Sequence, residues 1–230
     1  MTEGAAPVGE IDPPYDAPDY RSSALRFPHR RLLSLPAGET ERHGPVFGHQ
    51  RFGAGDADLT AQHAGEAQGE RIIVTGRLLD ADGRSIADQL VEIWQTNAAG
   101  RYAHSNDQHP APLDPNFTGA GRCLTGRDGT YRFVTIKPGA YPWRNHPNAW
   151  RPAHIHFSVF GRAFVERLVT QMYFPGDPLL HYDPIYQSVS PRARRRLVSS
   201  FDLDTTTPEW ALGYYFDIVV GGHLATPTEA

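Results

Sequence analysis

The sequence predicts an all-β fold: a β-sandwich core of mixed sheets, with long functional loops and an extended N-terminal arm. Three observations carry this expectation. Several segments alternate apolar and polar residues with period two, which places every second side chain on one face of a strand. Turn signals such as Asp82-Gly83 and Asp128-Gly129 separate these segments, and the 22 glycines and 20 prolines favour many turns over long helices. Helical signals are scarce. Ser190-Pro191 followed by Arg192 to Val198 fits one short capped helix with proline at its first position.

Taken in order, residues 1–70 differ from the rest. Pro13-Pro14, Pro18, Pro28, Pro36 and Pro45 interrupt them, and no apolar period persists. Tyr15, Tyr20, Leu25, Phe27, Leu32, Leu33 and Leu35 are too apolar for a free linker, so 1–70 reads as an arm that wraps a partner chain or its own body. A β-sandwich domain follows over 71–230. Its strands are expected at 71–79, 89–95, 130–136, around 153–159, at 167–174 and at 214–220. Residues 100–127 read as one long loop, and Lys137 to Tyr141 as a turn that delivers Tyr141 to an extended segment, since Pro142 disfavours helix before it. The arginines of 192–196 read as a solvated helix face.

Composition excludes several function classes. The 230 residues are 40% hydrophobic and 21% charged, enough for a sizeable core. A formal net charge of −4 gives no reason to expect nucleic acid or an anionic membrane as partner. The single cysteine, Cys123, cannot form an internal disulfide. No apolar run is long enough to span a bilayer and no signal peptide is evident, so a cytoplasmic location is expected.

The segment that carries chemistry is Trp150-Arg-Pro-Ala-His-Ile-His-Phe-Ser-Val-Phe160. Ala153, Ile155, Phe157 and Val159 alternate with the residues between them, so His154 and His156 share the opposite face. Two imidazoles on one face of a rigid strand suit adjacent metal ligation, although a solvated strand face would give the same pattern. Tyr102 and Tyr141 are further candidate ligands. Each alone is weak evidence among 10 tyrosines. Two phenolates with two imidazoles would favour a hard, highly charged ion, and Fe(III) is the natural match; zinc more often takes His with Cys or carboxylate.

The combination of Glu70-Arg-Ile-Ile-Val-Thr-Gly76, Leu90-Val-Glu-Ile-Trp-Gln95, Gly100-Arg-Tyr102, Ala111-Pro-Leu-Asp-Pro-Asn-Phe117, Thr135-Ile-Lys-Pro-Gly-Ala-Tyr-Pro-Trp-Arg-Asn145, Trp150 to Phe157 and Thr170-Gln-Met-Tyr-Phe174 resembles the intradiol ring-cleavage dioxygenase family. The likeness runs over about residues 12–222. It implies that Tyr102, Tyr141, His154 and His156 bind one non-haem Fe(III) per chain, with O₂ as co-substrate. Tyr141 would leave the metal when substrate chelates and then take a substrate proton. Arg151 would stabilise negative charge on the substrate ring, and Gln171 would flank it. Trp143 and Ile185 would line the cavity, and Tyr20 would hydrogen-bond a substrate carboxylate. Blander roles stay open: a surface ion pair for Arg151, core packing for Trp143 and Ile185, a backbone cap for Gln171.

The likeness is to the two-chain members that open protocatechuate to 3-carboxy-cis,cis-muconate in the β-ketoadipate pathway. It implies a homologous α subunit as partner in a larger hetero-oligomer, with this chain the iron-bearing one. The rival readings are a catechol or hydroxyquinol 1,2-dioxygenase, and a metal-free transthyretin-like binding module.

Overall fold

The computed structural model describes residues 11–30, 53, 55–160 and 167–229. The elements are α1 (Ser23–Arg26), β1 (Arg71–Asp80), β2 (Leu90–Trp94), β3 (Ala120–Leu124), β4 (Thr130–Ile136), β5 (Tyr141–Pro142), β6 (Trp150–Arg151), β7 (His154–Phe160), β8 (Arg167–Tyr173), α2 (Pro184–Ser188), β9 (Ser200–Phe201), β10 (Leu212–Tyr215) and β11 (Ile218–Val220). Single 3₁₀ turns lie at Pro178–His181 and Arg194–Leu197.

The expected mixed sheets are present. β1 is the axis of one sheet. It pairs antiparallel with β4 on one side and parallel with β10 and then β11 on the other, and β9 adds to β10. The second sheet is antiparallel, in the order β3-β2-β7-β8. A two-stranded ribbon, β5 against β6, stands beside it. Ile72, Val74 and Leu78 of β1 with Tyr131 and Phe133 of β4 meet Val91, Ile93, Ile155, Phe157 and Met172 of the second sheet in one core. Each such side chain contributes about 1.5–3 kcal/mol by leaving water. Ile73 points the other way, yet it is buried too, against Val134 and Ala211. That explains why the first strand reads as a continuous apolar run rather than an alternation.

Three expectations need correction. The supposed loop over 100–127 contains β3. Its sequence, Ala-Gly-Arg-Cys-Leu, lacks visible alternation because it runs beneath residues 56–59; a Cβ on Gly121 would come within 2.5 Å of the Leu59 side chain. Residues 190–197 form turns and a 3₁₀ segment instead of a capped helix, and the regular helical turn falls at Pro184–Ser188. The last strand is two strands. The chain steps out at Phe216 and Asp217, where the Phe216 carbonyl crosses over Gly76 and accepts a hydrogen bond from the buried Tyr131 hydroxyl. Any Cβ at position 76 would sit 1.8 Å from that carbonyl oxygen, so only glycine fits.

Of the stretch expected to form an arm, residues 55–61 lie against β4: Leu59 N–H donates to the Val134 carbonyl (2.9 Å), and Leu59 is fully buried. Leu32, Leu33 and Leu35 of the expected wrapping segment lie outside the described residues.

Candidate metal centre and active-site pocket

β7 lies between β2 and β8, so its side chains have fixed neighbours on both sides. The register sets His154 opposite Tyr173, and His156 opposite both Gln171 and Trp94. The two imidazoles share one face, with ring centroids 4.8 Å apart, and His154 is buried rather than solvated. Trp94 stacks on His156 at 4.9 Å. Each ring is held through Nδ1: His154 reaches the Pro152 carbonyl at 2.7 Å and His156 the Glu229 carboxylate at 2.8 Å. With Nδ1–H donated outward, both Nε2 lone pairs face inward. Burial, reinforced by the Arg151 guanidinium, holds His154 well below the usual imidazole range and keeps it neutral.

The tyrosines arrive from two loops that cross. Asn97 Oδ1 accepts the N–H groups of Ala99 and Arg101, both at 3.0 Å, and so closes the turn before Tyr102. Gly100 at its tip has φ +77° and passes so close to Ala140 that a Cβ would lie 2.1 Å from that carbonyl oxygen. This contact brings Tyr102 to Tyr141, their rings 5.4 Å apart and edge to face. Tyr102 Oη stands 3.0 Å from His156 Nε2, and the Tyr141 ring is 5.5 Å from that of His154. The four side chains singled out from the sequence therefore converge.

The donor set fits iron. Among the described residues no three or more His, Cys, Asp or Glu side chains are grouped to hold a metal, so the cluster is one of nitrogens and phenol oxygens. Burial, together with the facing Tyr141, pushes the Tyr102 hydroxyl well above the ordinary phenol range. A strong cation beside the Tyr102 oxygen, such as a trivalent ion, would offset that penalty.

Arg151 is not a surface residue. It is 2% exposed and forms a two-point ion pair with the fully buried Asp183, Nε at 3.0 Å and Nη2 at 2.8 Å. Nη2 also donates to Gln171 Oε1 (2.6 Å) and to the Tyr173 hydroxyl (3.0 Å), while Nη1 lies 3.2 Å from His154 Nε2 and 3.5 Å from Tyr141 Oη. Burial is the largest single influence and opposes the guanidinium's charge, but Asp183, Tyr173 and Tyr141 together outweigh it and Arg151 stays protonated. Gln171 thus bonds side chains, not the backbone. Tyr20, Trp143 and Ile185 form one small apolar cluster with Ala17. The Trp143 ring lies 5.0 Å from Tyr20 and 5.3 Å from the Arg151 guanidinium carbon. The aromatic cluster and the fixed cation are thereby direct neighbours.

Three participants were not singled out from the sequence. Asp183, a lone acidic residue between Tyr182 and Pro184, carried no signal of its own; it lies fully buried beneath Arg151. Tyr173 carried one usable signal, two residues after Gln171 and so on the same strand face. Glu229 carried none.

A mixed sheet and an antiparallel sheet thus carry a cluster of two histidines and two tyrosines. A family model described as "Dioxygenase" matches residues 42–222, and one described as "Protocatechuate 3,4-dioxygenase beta subunit N terminal" matches residues 10–37. The chain belongs to the intradiol ring-cleavage dioxygenase family. It is 61% identical over 219 residues to the protocatechuate 3,4-dioxygenase beta chain of Burkholderia cepacia, covering 94% of this chain and 93% of that relative. It is 31% identical over 200 residues to the alpha chain from the same organism, covering 83% and 95%. Among solved structures, hydroxyquinol 1,2-dioxygenase from Pseudomonas putida DLL-E4 shares the fold, with a TM-score of 0.59, 23% identity and coverage of 93% of this chain and 73% of that one. No helix among the described residues is long and apolar enough to cross a membrane.

Proposed function

We propose that this chain is the iron-bearing subunit of an intradiol dioxygenase that opens protocatechuate between its two hydroxylated carbons to give 3-carboxy-cis,cis-muconate. The observation that carries the reading is the convergence of Tyr102, Tyr141, His154 and His156, in a chain 61% identical to the Burkholderia cepacia beta chain. Held by those four side chains, one Fe(III) supplies the Lewis-acid chemistry that activates a catechol toward O₂. The 31% likeness to an alpha chain supports a homologous α-type partner in a hetero-oligomer.

The chain's own residues account for binding, charge and proton movement. Trp143 and Ile185 enclose the substrate ring and exclude water from it. Tyr20, packed on Trp143, offers its hydroxyl to the substrate carboxylate. Tyr141 takes the proton of a substrate hydroxyl as the catechol loses its charge-neutral form. The Arg151 guanidinium, fixed by Asp183, Gln171 and Tyr173, faces the negative charge that develops on the ring; it is in place before reaction and needs no reorganisation. Both atoms of O₂ end in the two new carboxylates of the opened ring.

The test is co-production with an α-type chain, followed by metal analysis, visible spectroscopy and product identification. One iron per chain, a tyrosinate-to-iron absorption band and 3-carboxy-cis,cis-muconate are expected. A semialdehyde product would overturn the ring-opening position. Colourless, iron-free protein from iron-replete cells would overturn the centre itself. Faster turnover of catechol than of protocatechuate would reassign the substrate.

A further inference from the structure

The segment Thr226–Glu229 runs from β11 of the first sheet to the β8 edge of the second. Thr226 exchanges hydrogen bonds with Val219 (2.9 and 3.0 Å), Thr170 Oγ1 donates to the Pro227 carbonyl (2.7 Å), and Thr228 N–H donates to Asp12 Oδ1 (2.9 Å). Thr228 Oγ1 and Glu229 N–H both donate to the Val169 carbonyl, at 3.0 and 2.8 Å. These bonds deliver the Glu229 side chain to the site, where it is 23% exposed beside a His156 that is 12% exposed. One carboxylate oxygen, Oε2, accepts from two donors there: His156 Nδ1 at 2.8 Å and Gln171 Nε2 at 2.8 Å.

From this geometry we propose that Glu229 is a positioning residue for the metal centre: its carboxylate holds His156 as the tautomer whose Nε2 faces the iron and turns Gln171 so that its carbonyl faces Arg151. The role rests on the reading that His156 is an iron ligand. A neutral imidazole has two tautomers of similar energy, and an acceptor at Nδ1 selects the one with a free Nε2. The side-chain amide of Gln171 is similarly ambiguous. With Nε2 engaged by Glu229, Oε1 accepts from Arg151 Nη2 at 2.6 Å. Rotated by half a turn, the amide would set its N–H groups against the guanidinium N–H groups, donor facing donor. A single oxygen atom therefore orients one metal ligand and, through Gln171, the cation that faces the substrate.

The test compares Glu229→Ala and Glu229→Gln with the parent in the assembled iron-loaded complex. Loss of such an outer partner of a ligating histidine typically weakens the site about 10–100-fold, so Glu229→Ala is expected to lose iron to a chelator faster by about that factor. Its tyrosinate-to-iron band should also shift. Glu229→Gln retains a carbonyl that can accept both bonds and should return both readouts most of the way to the parent. The thermal midpoint of the iron-free complex should be the same in all three. Parent-like iron loss and spectrum in Glu229→Ala would overturn the role. So would equal deficiency of the two variants, or a lowered midpoint without iron that tracks the defect, since either reduces Glu229 to charge or to sheet-edge support. A parent complex without iron would instead overturn the four-residue centre, and the role with it.

Discussion

Asp183 lies fully buried beneath Arg151, and its replacement isolates the most consequential charge in the site. In the Asp183→Asn variant the side chain keeps its shape but loses its charge, and an N–H group replaces one of the oxygens that accept from Arg151 Nε (3.0 Å), Arg151 Nη2 (2.8 Å) and the Tyr173 hydroxyl (2.9 Å). Leaving one member of a buried pair uncompensated destabilises by about 3–5 kcal/mol. Gln171 Oε1 and the Tyr173 hydroxyl still face the guanidinium as neutral acceptors, which places the expected loss near the lower end, at about 3 kcal/mol. That is a large part of a typical total stability of about 5–15 kcal/mol. Equilibrium urea unfolding, followed by tryptophan fluorescence, measures it. Ring opening should fall on the order of 100-fold, because the guanidinium would no longer be held in place. The double variant Arg151→Met with Asp183→Leu removes both charges and should recover most of the stability while staying inactive. An Asp183→Asn protein within about 1 kcal/mol of the parent would refute the pair as a structural unit.

Tyr20→Phe should raise the KM for protocatechuate about fivefold, the equivalent of one lost hydrogen bond of about 1 kcal/mol, and leave turnover of catechol, which has no carboxylate, unchanged; equal effects on the two substrates would refute the assigned contact. Cys123 is buried, and burial pushes its thiol from 9.0 up to about 12. Its folded pKa lies above the unfolded one, so its contribution is complete below about pH 9 and is lost at about 1.4 kcal/mol per pH unit as pH rises toward about 12. Unfolding at pH 8 and pH 10.5 should show a steeper decline for the parent than for Cys123→Ala, and identical slopes would sink this account.

Much of the scaffold was legible because it is local. The strand-like stretches at 130–136 and 167–174 become β4 and β8, and the period-two reading around His154 and His156 places both imidazoles on one face of β7. The convergence of Tyr102 and Tyr141 was not local. No spacing implies it; it depends on Gly100 passing against Ala140, a contact across 40 residues, and it was anticipated only through resemblance to a family. Asp183 and Glu229 were harder still. A lone acidic residue in a loop looks solvated, and nothing near Glu229 in the chain marks it as the partner of a histidine 73 residues earlier. β3 was hidden because glycine and small residues, chosen for a close crossing, erase the alternation that marks a strand.

The parallel partners of β1 are β10 and β11, which lie about 140 residues further along the chain. During synthesis at roughly 5–20 residues per second, one edge of that apolar first strand waits on the order of ten seconds for the polypeptide that will cover it. Closing so distant a pairing is also entropically slow. Nascent chains interrupted after β8 should therefore engage holding chaperones, and recombinant yield should respond to growth temperature and chaperone supply more than to equilibrium stability.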